Sequence, residues 1–135
     1  MGGTTDLEIL LRSLAPALAP EEYVFATVKT PAAAGALDAI GQFREQEAIT
    51  VICPAARAKD AGLPFEATYR ELVLDVHSSL EAIGLLATVS TALAAEGVPC
   101  NVVSAFYHDH LFVPAALAPK ALNVLSALAK RKPPP

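Results

Sequence analysis

Residues 72–114 constrain the fold more than any other part of the chain, because their pattern changes from strand to helix and back to strand without a break. Leu72, Leu74 and Val76 alternate with their neighbours, the period of a strand with one face on a core. Apolar residues then recur three and four apart, as on one face of a helix: Leu85, Leu86, Val89, Ala92 and Leu93. Gly97 ends this predicted helix, where a residue with positive φ is favoured.

Two more strands are predicted at residues 100–106 and 110–113, separated by only Tyr107, His108 and Asp109. A connection this short permits only a hairpin, so the two strands pair antiparallel. A second helix follows Pro114, with Pro119 in its first turn, where the missing N–H would have no intrahelical partner. The predicted order is therefore strand, helix, strand, strand, helix.

Composition excludes several classes of protein. The 135 residues are 53% hydrophobic, which is ample for a packed core. A net charge of −4 with scattered basic residues argues against nucleic acid as a partner, because phosphate binding needs clustered Lys and Arg. The most apolar run, residues 83–95, is too short to span a bilayer, so no membrane partner is expected. Asp6 and Glu8 stand where a signal peptide carries positive charge, and we predict a cytoplasmic location by elimination.

The two cysteines are predicted to be buried free thiols. Cys53 and Cys100 lie on different predicted strands, and their spacing is not that of metal ligands. Before the first of them, the chain opens with a predicted helix at residues 6–14, capped by Thr4 or Thr5. Pro16 and Pro20 are then expected to delimit a short linker.

The first half of the chain repeats the second in degenerate form. A strand running into Pro-Ala-Ala-x-Ala occurs twice, as ITVICPAARA around Pro54 and as LFVPAALA around Pro114. Strands are predicted at residues 23–28 and 40–45 ahead of the first copy. Residues 29–39 between them are too short and too punctuated for a full crossover helix.

A second helix of the first copy is predicted at residues 55–61, ended by Gly62. We therefore expect a degenerate N-terminal module at residues 1–64 and a complete module at residues 65–130. The basic and proline-rich end, residues 131–135, is predicted to be a disordered tail.

Three segments, VHSSLEAIG, EGVPCNVVS and YHDHLFVP, resemble an ACT domain in their order and spacing. The ACT domain is a ferredoxin-like regulatory module that binds amino acids. The chain is most similar to small stand-alone proteins with two tandem ACT-like modules, as at the end of aspartate kinases. The resemblance implies an α+β fold of two ferredoxin-like βαββαβ modules, the first degenerate, with antiparallel sheets and helices on one face. It also implies side-by-side pairing of modules and a homodimer.

The resemblance further implies an amino acid bound where one module's first strand-to-helix loop meets a neighbouring strand. Carried over to this chain, the site comprises His77, Ser78, Ser79, Leu80, Ile83, Gly84 and Leu85, opposite Cys100, Asn101 and Val102. One position departs from the pattern. Many kinase-attached modules have Asn two residues after the helix-ending Gly, whereas this chain has Pro99 there and Asn101 two positions later.

The chemistry of these residues suits a free amino acid. The leading N–H groups of a helix lack intrahelical partners and favour a carboxylate. Gly84 leaves the backbone open to a ligand, so a Val there should block binding and leave the fold intact. Asp75 and His77 share a strand face and could orient the ammonium group, or simply be solvated. An alternative for the loop is a capping box formed by Ser78 and Glu81.

The cluster His108, Asp109 and His110 has two interpretations. Histidines at i and i+2 on a strand point to one face and could ligate a metal, with His77 or Asp75 joining them. A hairpin turn also favours polar residues for its geometry alone. Because zinc usually needs three or four ligands, we predict that the two histidines are not essential metal ligands, and we expect no cofactor.

No catalytic motif is present: the chain has no G-x-S-x-G and no glycine-rich phosphate loop followed by Lys. The leading hypothesis is a non-catalytic regulatory protein that binds an amino acid effector and alters a protein partner not identified by the sequence. The alternatives are a structural or adaptor ACT module without a ligand, and a metal-binding protein that uses His108 and His110.

Overall fold

The computed structural model of the chain describes residues 6–75 and 83–130. Its helices and strands follow in the order α1 (Leu7–Arg12), β1 (Pro16–Val28), α2 (Pro31–Gly35), β2 (Gly41–Arg44), β3 (Ile49–Pro54), α3 (Ala55–Asp60), β4 (Tyr69–Leu74), α4 (Leu85–Ala95), β5 (Asn101–Ser104), β6 (Asp109–Pro114), a 3₁₀ turn (Ala115–Leu117) and α5 (Ala118–Ala129). The predicted tail at residues 131–135 lies outside the described residues.

Two compact units share the chain. The larger comprises the described residues of Met1–Ala19 and Arg70–Pro135, and the smaller is Pro20–Tyr69. β1 runs through both, so the linker expected between Pro16 and Pro20 is wrong. Pro16 is instead the first residue of the strand, a position that does not need a backbone donor. The boundary between residues 64 and 65 stays a prediction.

The smaller unit is built on a short antiparallel sheet. β3 pairs with β1, where Val24 lies opposite Cys53, and with β2, where Gly41 lies opposite Ile52. The helices are brief, and α2 has only five residues. Apart from Leu37, its core consists of small and β-branched side chains: Val24, Ala26, Val28, Ala34, Ile49, Val51, Cys53 and Ala58. The short α2 explains why this module reads as degenerate in sequence.

The larger unit has its strands hydrogen-bonded in the order β1-β4-β6-β5. The first part of β1 lies beside β4: the Asp75 N–H donates to Ala15 O at 3.1 Å, and the Arg70 guanidinium donates to Ala19 O at 3.1 and 2.9 Å. From β4 onward the elements run strand, helix, strand, strand, helix. The fourth strand of this ferredoxin-like unit is thus supplied from the start of the chain, ahead of the smaller unit.

The core of the larger unit is formed by leucines and valines from its three helices and its strands. Leu10 of α1, Leu93 of α4 and Leu125 of α5 are completely buried. Helix α1 begins one residue after Asp6, whose carboxylate accepts from the Ile9 N–H at 3.2 Å. The predicted cap at Thr4 or Thr5 is therefore replaced by Asp6, because only Asp6 stands at the N-cap position.

The two hairpins, β2–β3 and β5–β6, repeat one another with a constant offset of residue number. Gly41 opposes Ile52 as Asn101 opposes Phe112. The turns match as well, since the Glu45 N–H donates to Ala48 O at 2.9 Å. At the corresponding place the Ala105 N–H donates to His108 O at 3.0 Å. β3 and β6 also share one burial pattern, which supports an internal duplication.

Both predicted helix-ending glycines have positive φ, at +70° for Gly62 and +74° for Gly97. The residue after each glycine donates back into the helix: Leu63 N–H to Ala58 O and Val98 N–H to Leu93 O, both at 3.0 Å. This pattern of bonds is a Schellman motif, which satisfies the last helical carbonyls. The predicted C-terminal ends of α3 and α4 are thereby explained.

Candidate functional site

Helix α4 begins in the larger unit at a glycine in the left-handed conformation. Gly84 has φ +97° and ψ −15°, and its carbonyl accepts from the Thr88 N–H at 2.9 Å. The first turn of α4 contains no acidic residue. His77, Ser78, Ser79, Leu80 and Glu81 lie outside the described residues, so their predicted roles, the capping box included, stay predictions.

The side chain of Leu7 also lies close to Gly84. A Cβ placed on this residue would lie 3.1 Å from Leu7 Cδ2 on α1. A side chain at position 84 is thus strained both by φ and by Leu7. Val at this position is therefore expected to strain the protein even without a ligand, and the expectation that this variant stays folded remains a prediction.

The residues that flank Gly84 have opposite environments. Leu85 is 3% exposed and belongs to the hydrophobic core, whereas Ile83 is 85% exposed. Asp75, at the end of β4, is exposed as well. Of the predicted loop residues that the structure describes, Ile83 and Asp75 are therefore open to a ligand, and Leu85 holds the helix in place.

The second predicted group of residues lies at the other end of α4. The helix has 11 residues and is about 16 Å long. Cys100 follows its C-terminal end, and Asn101 and Val102 are exposed on the edge strand β5. Within one chain, Gly84 and Asn101 are therefore separated by the length of the helix.

Two histidine–carboxylate contacts join β6 and the turn before it to β4. His110 Nδ1 lies 2.8 Å from Glu71 Oε2, and the two side chains are 29% and 11% exposed. His108 Nε2 lies 3.6 Å from Asp75 Oδ1 in a more open position. Glu71 was not anticipated as a functional residue. The sequence nevertheless indicates where its side chain lies. Glu71 stands two residues before Val73 and four before Asp75, so strand alternation places it on their face, opposite Leu72 and Leu74.

The predicted histidine cluster is thus divided. His108 and His110 contact different carboxylates, and Asp109 is buried at 6% exposure. In residues 6–75 and 83–130, no group of three or more side chains of the metal-binding types is brought together.

Burial raises the pKa of both the Cys53 and the Cys100 thiols. No helix in the described residues is long and apolar enough to cross a membrane.

The ACT-domain family matches the chain twice, at residues 2–70 and at residues 66–127. The chain therefore belongs to the ACT-domain family and carries two such domains in tandem. This result confirms the resemblance drawn from the sequence and the predicted fold class. ACT domains are regulatory modules that bind small-molecule effectors, and the matches support that general role for this chain.

Solved structures agree with this assignment. A protein of unknown function from Vibrio cholerae, described as a possible transport protein, is 41% identical over 91% of this chain and 95% of its own, with a TM-score of 0.84. A protein from Agrobacterium tumefaciens is 18% identical over 86% of this chain and 89% of its own, with a TM-score of 0.71.

The ligand-free regulatory subunit of aspartate kinase from Thermus thermophilus is 13% identical over 86% of this chain and 98% of its own, with a TM-score of 0.58. At this identity, as for the Agrobacterium protein, the likeness concerns the fold alone. Among proteins with curated descriptions, no significant match was found.

Proposed function

We propose that the protein is a non-catalytic regulatory protein that binds a free amino acid at the start of α4. The observation that carries the proposal is the position of Gly84, where the first helix of a complete ACT domain begins in the loop after its first strand. The leading N–H groups of such a helix lack intrahelical partners and carry the positive end of the helix dipole. A ligand carboxylate is the group that matches them.

The ligand ammonium needs an acceptor, and Asp75 is an exposed carboxylate at the end of the same strand. Exposed Ile83 offers apolar contact for a side chain of the ligand. The predicted loop residues His77, Ser78, Ser79 and Leu80 complete this half of the site in the proposal. It is therefore a half-site that recognises a zwitterion.

A second copy of the chain supplies the other half of the proposed site. Because Cys100, Asn101 and Val102 lie beyond the far end of α4, they reach Gly84 only from a neighbouring chain. β5 suits this arrangement: it is an edge strand without a charged side chain, and its Val102 and Val103 are 37% and 41% exposed. A homodimer with two-fold symmetry closes both edges at once.

Binding across such an interface gives a mechanism of regulation. A ligand that contacts both chains binds the paired form better than the separate chains, so it shifts the population toward that form. A protein partner that recognises one of the two forms would then respond to the concentration of the amino acid. The existence of such a partner is part of the proposal, which does not specify the partner's identity.

A thermal-shift screen tests the proposal. The full chain is heated with each of the twenty standard amino acids, with and without divalent metals. At least one amino acid should raise the melting temperature by mass action, and Asn101→Ala should reduce the rise. Asn123→Ala, an exposed position on α5, is the matched control and should respond as the unaltered protein does.

Two outcomes contradict the proposal. A stable dimer without any response to amino acids favours a structural or adaptor role. A shift with zinc alone, lost in His108→Ala or His110→Ala, favours the metal-binding alternative. Copurified stoichiometric metal would point the same way.

A further inference from the structure

The smaller unit contains a cleft for which the sequence suggested no function. It lies between the second part of β1 and the connection that leads from α3 to β4, and its volume is about 410 Å³. Phe25 and Thr27 line it from β1, Phe65 and Glu66 from the connection, and Tyr69 from the start of β4. This volume falls in the range of small-molecule sites.

Aromatic rings form the apolar part of the cleft. The rings of Phe25 and Tyr69 stand edge to face, with centroids 5.3 Å apart and planes at 78°. Phe65 is partly buried and packs against the core of the unit. Because two of the three rings hold one another and the third is anchored on the core, the cleft presents preformed aromatic surface.

The charged side chain that lines the cleft is negative. Glu66 is exposed and contributes a carboxylate, and Thr27 contributes a hydroxyl. No Lys or Arg is among the described residues that line the cleft. Aromatic faces attract cations, and a carboxylate beside them adds to that attraction. A ligand carboxylate, in contrast, would meet Glu66 without a cationic partner.

We propose that this cleft binds an organic amine, a ligand with a positively charged ammonium group on an apolar body. The apolar body lies against Phe25, Phe65 and Tyr69, and the ammonium group pairs with Glu66. The chemistry differs from that of the amino-acid site in the larger unit, where helix N–H groups favour a carboxylate. The two proposals therefore stand or fall separately.

The test uses the full chain, isotope-labelled for NMR and titrated with phenethylamine. Phenylpropionate and phenylalanine serve as probes that carry the same ring with a carboxylate or with both charges. Phenethylamine should shift the amide signals of residues 25–27 and 65–69 in a saturable way. Phenylpropionate should bind at least about tenfold more weakly, since it replaces the attraction to Glu66 by repulsion.

Substitutions that remove a single negative charge measure how much the Glu66 carboxylate contributes to binding. Glu66→Gln should weaken phenethylamine binding about fivefold, as expected for an exposed ion pair. Glu47→Gln makes the same change at an exposed position of the same unit outside the cleft, and should leave the affinity unchanged. Phe25→Leu, which keeps the apolar volume but removes the ring, should also weaken the amine.

Three results overturn the proposal. They are the absence of saturable shifts at millimolar phenethylamine, equal binding of phenylpropionate, and an unchanged affinity in Glu66→Gln. None of them bears on Gly84, because the amino-acid screen reports on Asn101 in the other unit. Conversely, a failed amino-acid screen leaves the amine titration unaffected.

Discussion

His110 and Glu71 form their hydrogen bond largely out of solvent, while the contact of His108 with Asp75 is mostly in water. The difference decides how much each pair contributes. A hydrogen bond to a shielded charged group contributes more than one in which water competes for both partners. The two histidine–carboxylate pairs therefore contribute unequally to the free energy of unfolding.

Replacing each carboxylate by its amide tests this difference. Glu71→Gln should lower the free energy of unfolding by about 1 kcal/mol, because the bond to His110 loses its charge-assisted character. Asp75→Asn should lower it by less than about 0.5 kcal/mol. Urea unfolding of both variants measures the two values. Equal losses would show that burial does not separate the pairs.

Gly84 gives a second prediction at the same scale. Gly84→Ala should lower the free energy of unfolding by about 1–3 kcal/mol. The alanine would have to adopt φ +97°, and its Cβ would lie 3.1 Å from Leu7 Cδ2. Gly35→Ala is the matched control: a Cβ there has nothing within 4 Å, so its effect should be neutral or slightly stabilising. Thermal and urea unfolding of the two variants give the comparison. Similar stability of the two proteins would contradict the left-handed geometry at position 84.

The thiol of Cys53 links stability to alkaline pH. Burial raises its pKa in the folded state above the ordinary value of 9.0. The unfolded chain therefore releases this proton first, and stability is lost as the pH rises from about 9 through the folded-state pKa. Cys53→Ala has no thiol at this position and lacks this loss. The difference in free energy of unfolding between the unaltered protein and Cys53→Ala should therefore decrease as the pH rises from about 8 to about 10.5. A difference that stays constant over this range would contradict the shift.

At the scale of elements, the sequence predicted most of what local pattern determines. The strands of both hairpins, the helices α4 and α5 and the endings at Gly62 and Gly97 follow from periodicity and turn chemistry. The turn of the second hairpin begins earlier than predicted, because β5 ends at Ser104 and Asp109 already belongs to β6. What it missed depends on contacts between distant residues. The extension of β1 back to Pro16 requires β4 as a neighbour, and no local pattern encodes that pairing.

The site shows the same division. The glycine at the start of α4 and the polar residues of the second hairpin were visible in the sequence. The contacts of Leu7 with Gly84 and of Glu71 with His110 were not, since each joins residues far apart in the chain. Side-chain partners of this kind are set by tertiary packing rather than by spacing.

The edge strand β5 carries the prediction of self-association. Val103→Lys places a charge on the exposed edge and should convert a dimer to a monomer without unfolding the chain. Thr91→Lys, exposed on α4, adds the same charge elsewhere and should leave the dimer intact. Sedimentation velocity should give about twice the chain mass of 14.0 kDa for the unaltered protein and for Thr91→Lys. A monomeric unaltered protein would remove the intermolecular half of the proposed site.

At the scale of the whole molecule, the chain forms two compact units in an interleaved order. The opening segment, through α1 and the first part of β1, belongs with the larger unit, and the smaller unit lies between the two parts of that unit in the sequence. The duplicated hairpins have kept their register, while the helices after their first strands have diverged to five and eleven residues. In the part of the chain that the structure describes, the larger unit therefore has the longer helix after its first strand, and the proposed site lies at the start of that helix.

Calorimetric titration of the full chain with each of the twenty standard amino acids tests whether this helix start is a ligand site. We expect saturable heat for at least one amino acid, with one ligand bound per chain, because each chain has one such helix. Asn101→Ala should weaken that binding, and Asn123→Ala should leave it unchanged. Absence of saturable binding by every amino acid at millimolar concentration would contradict the proposed function.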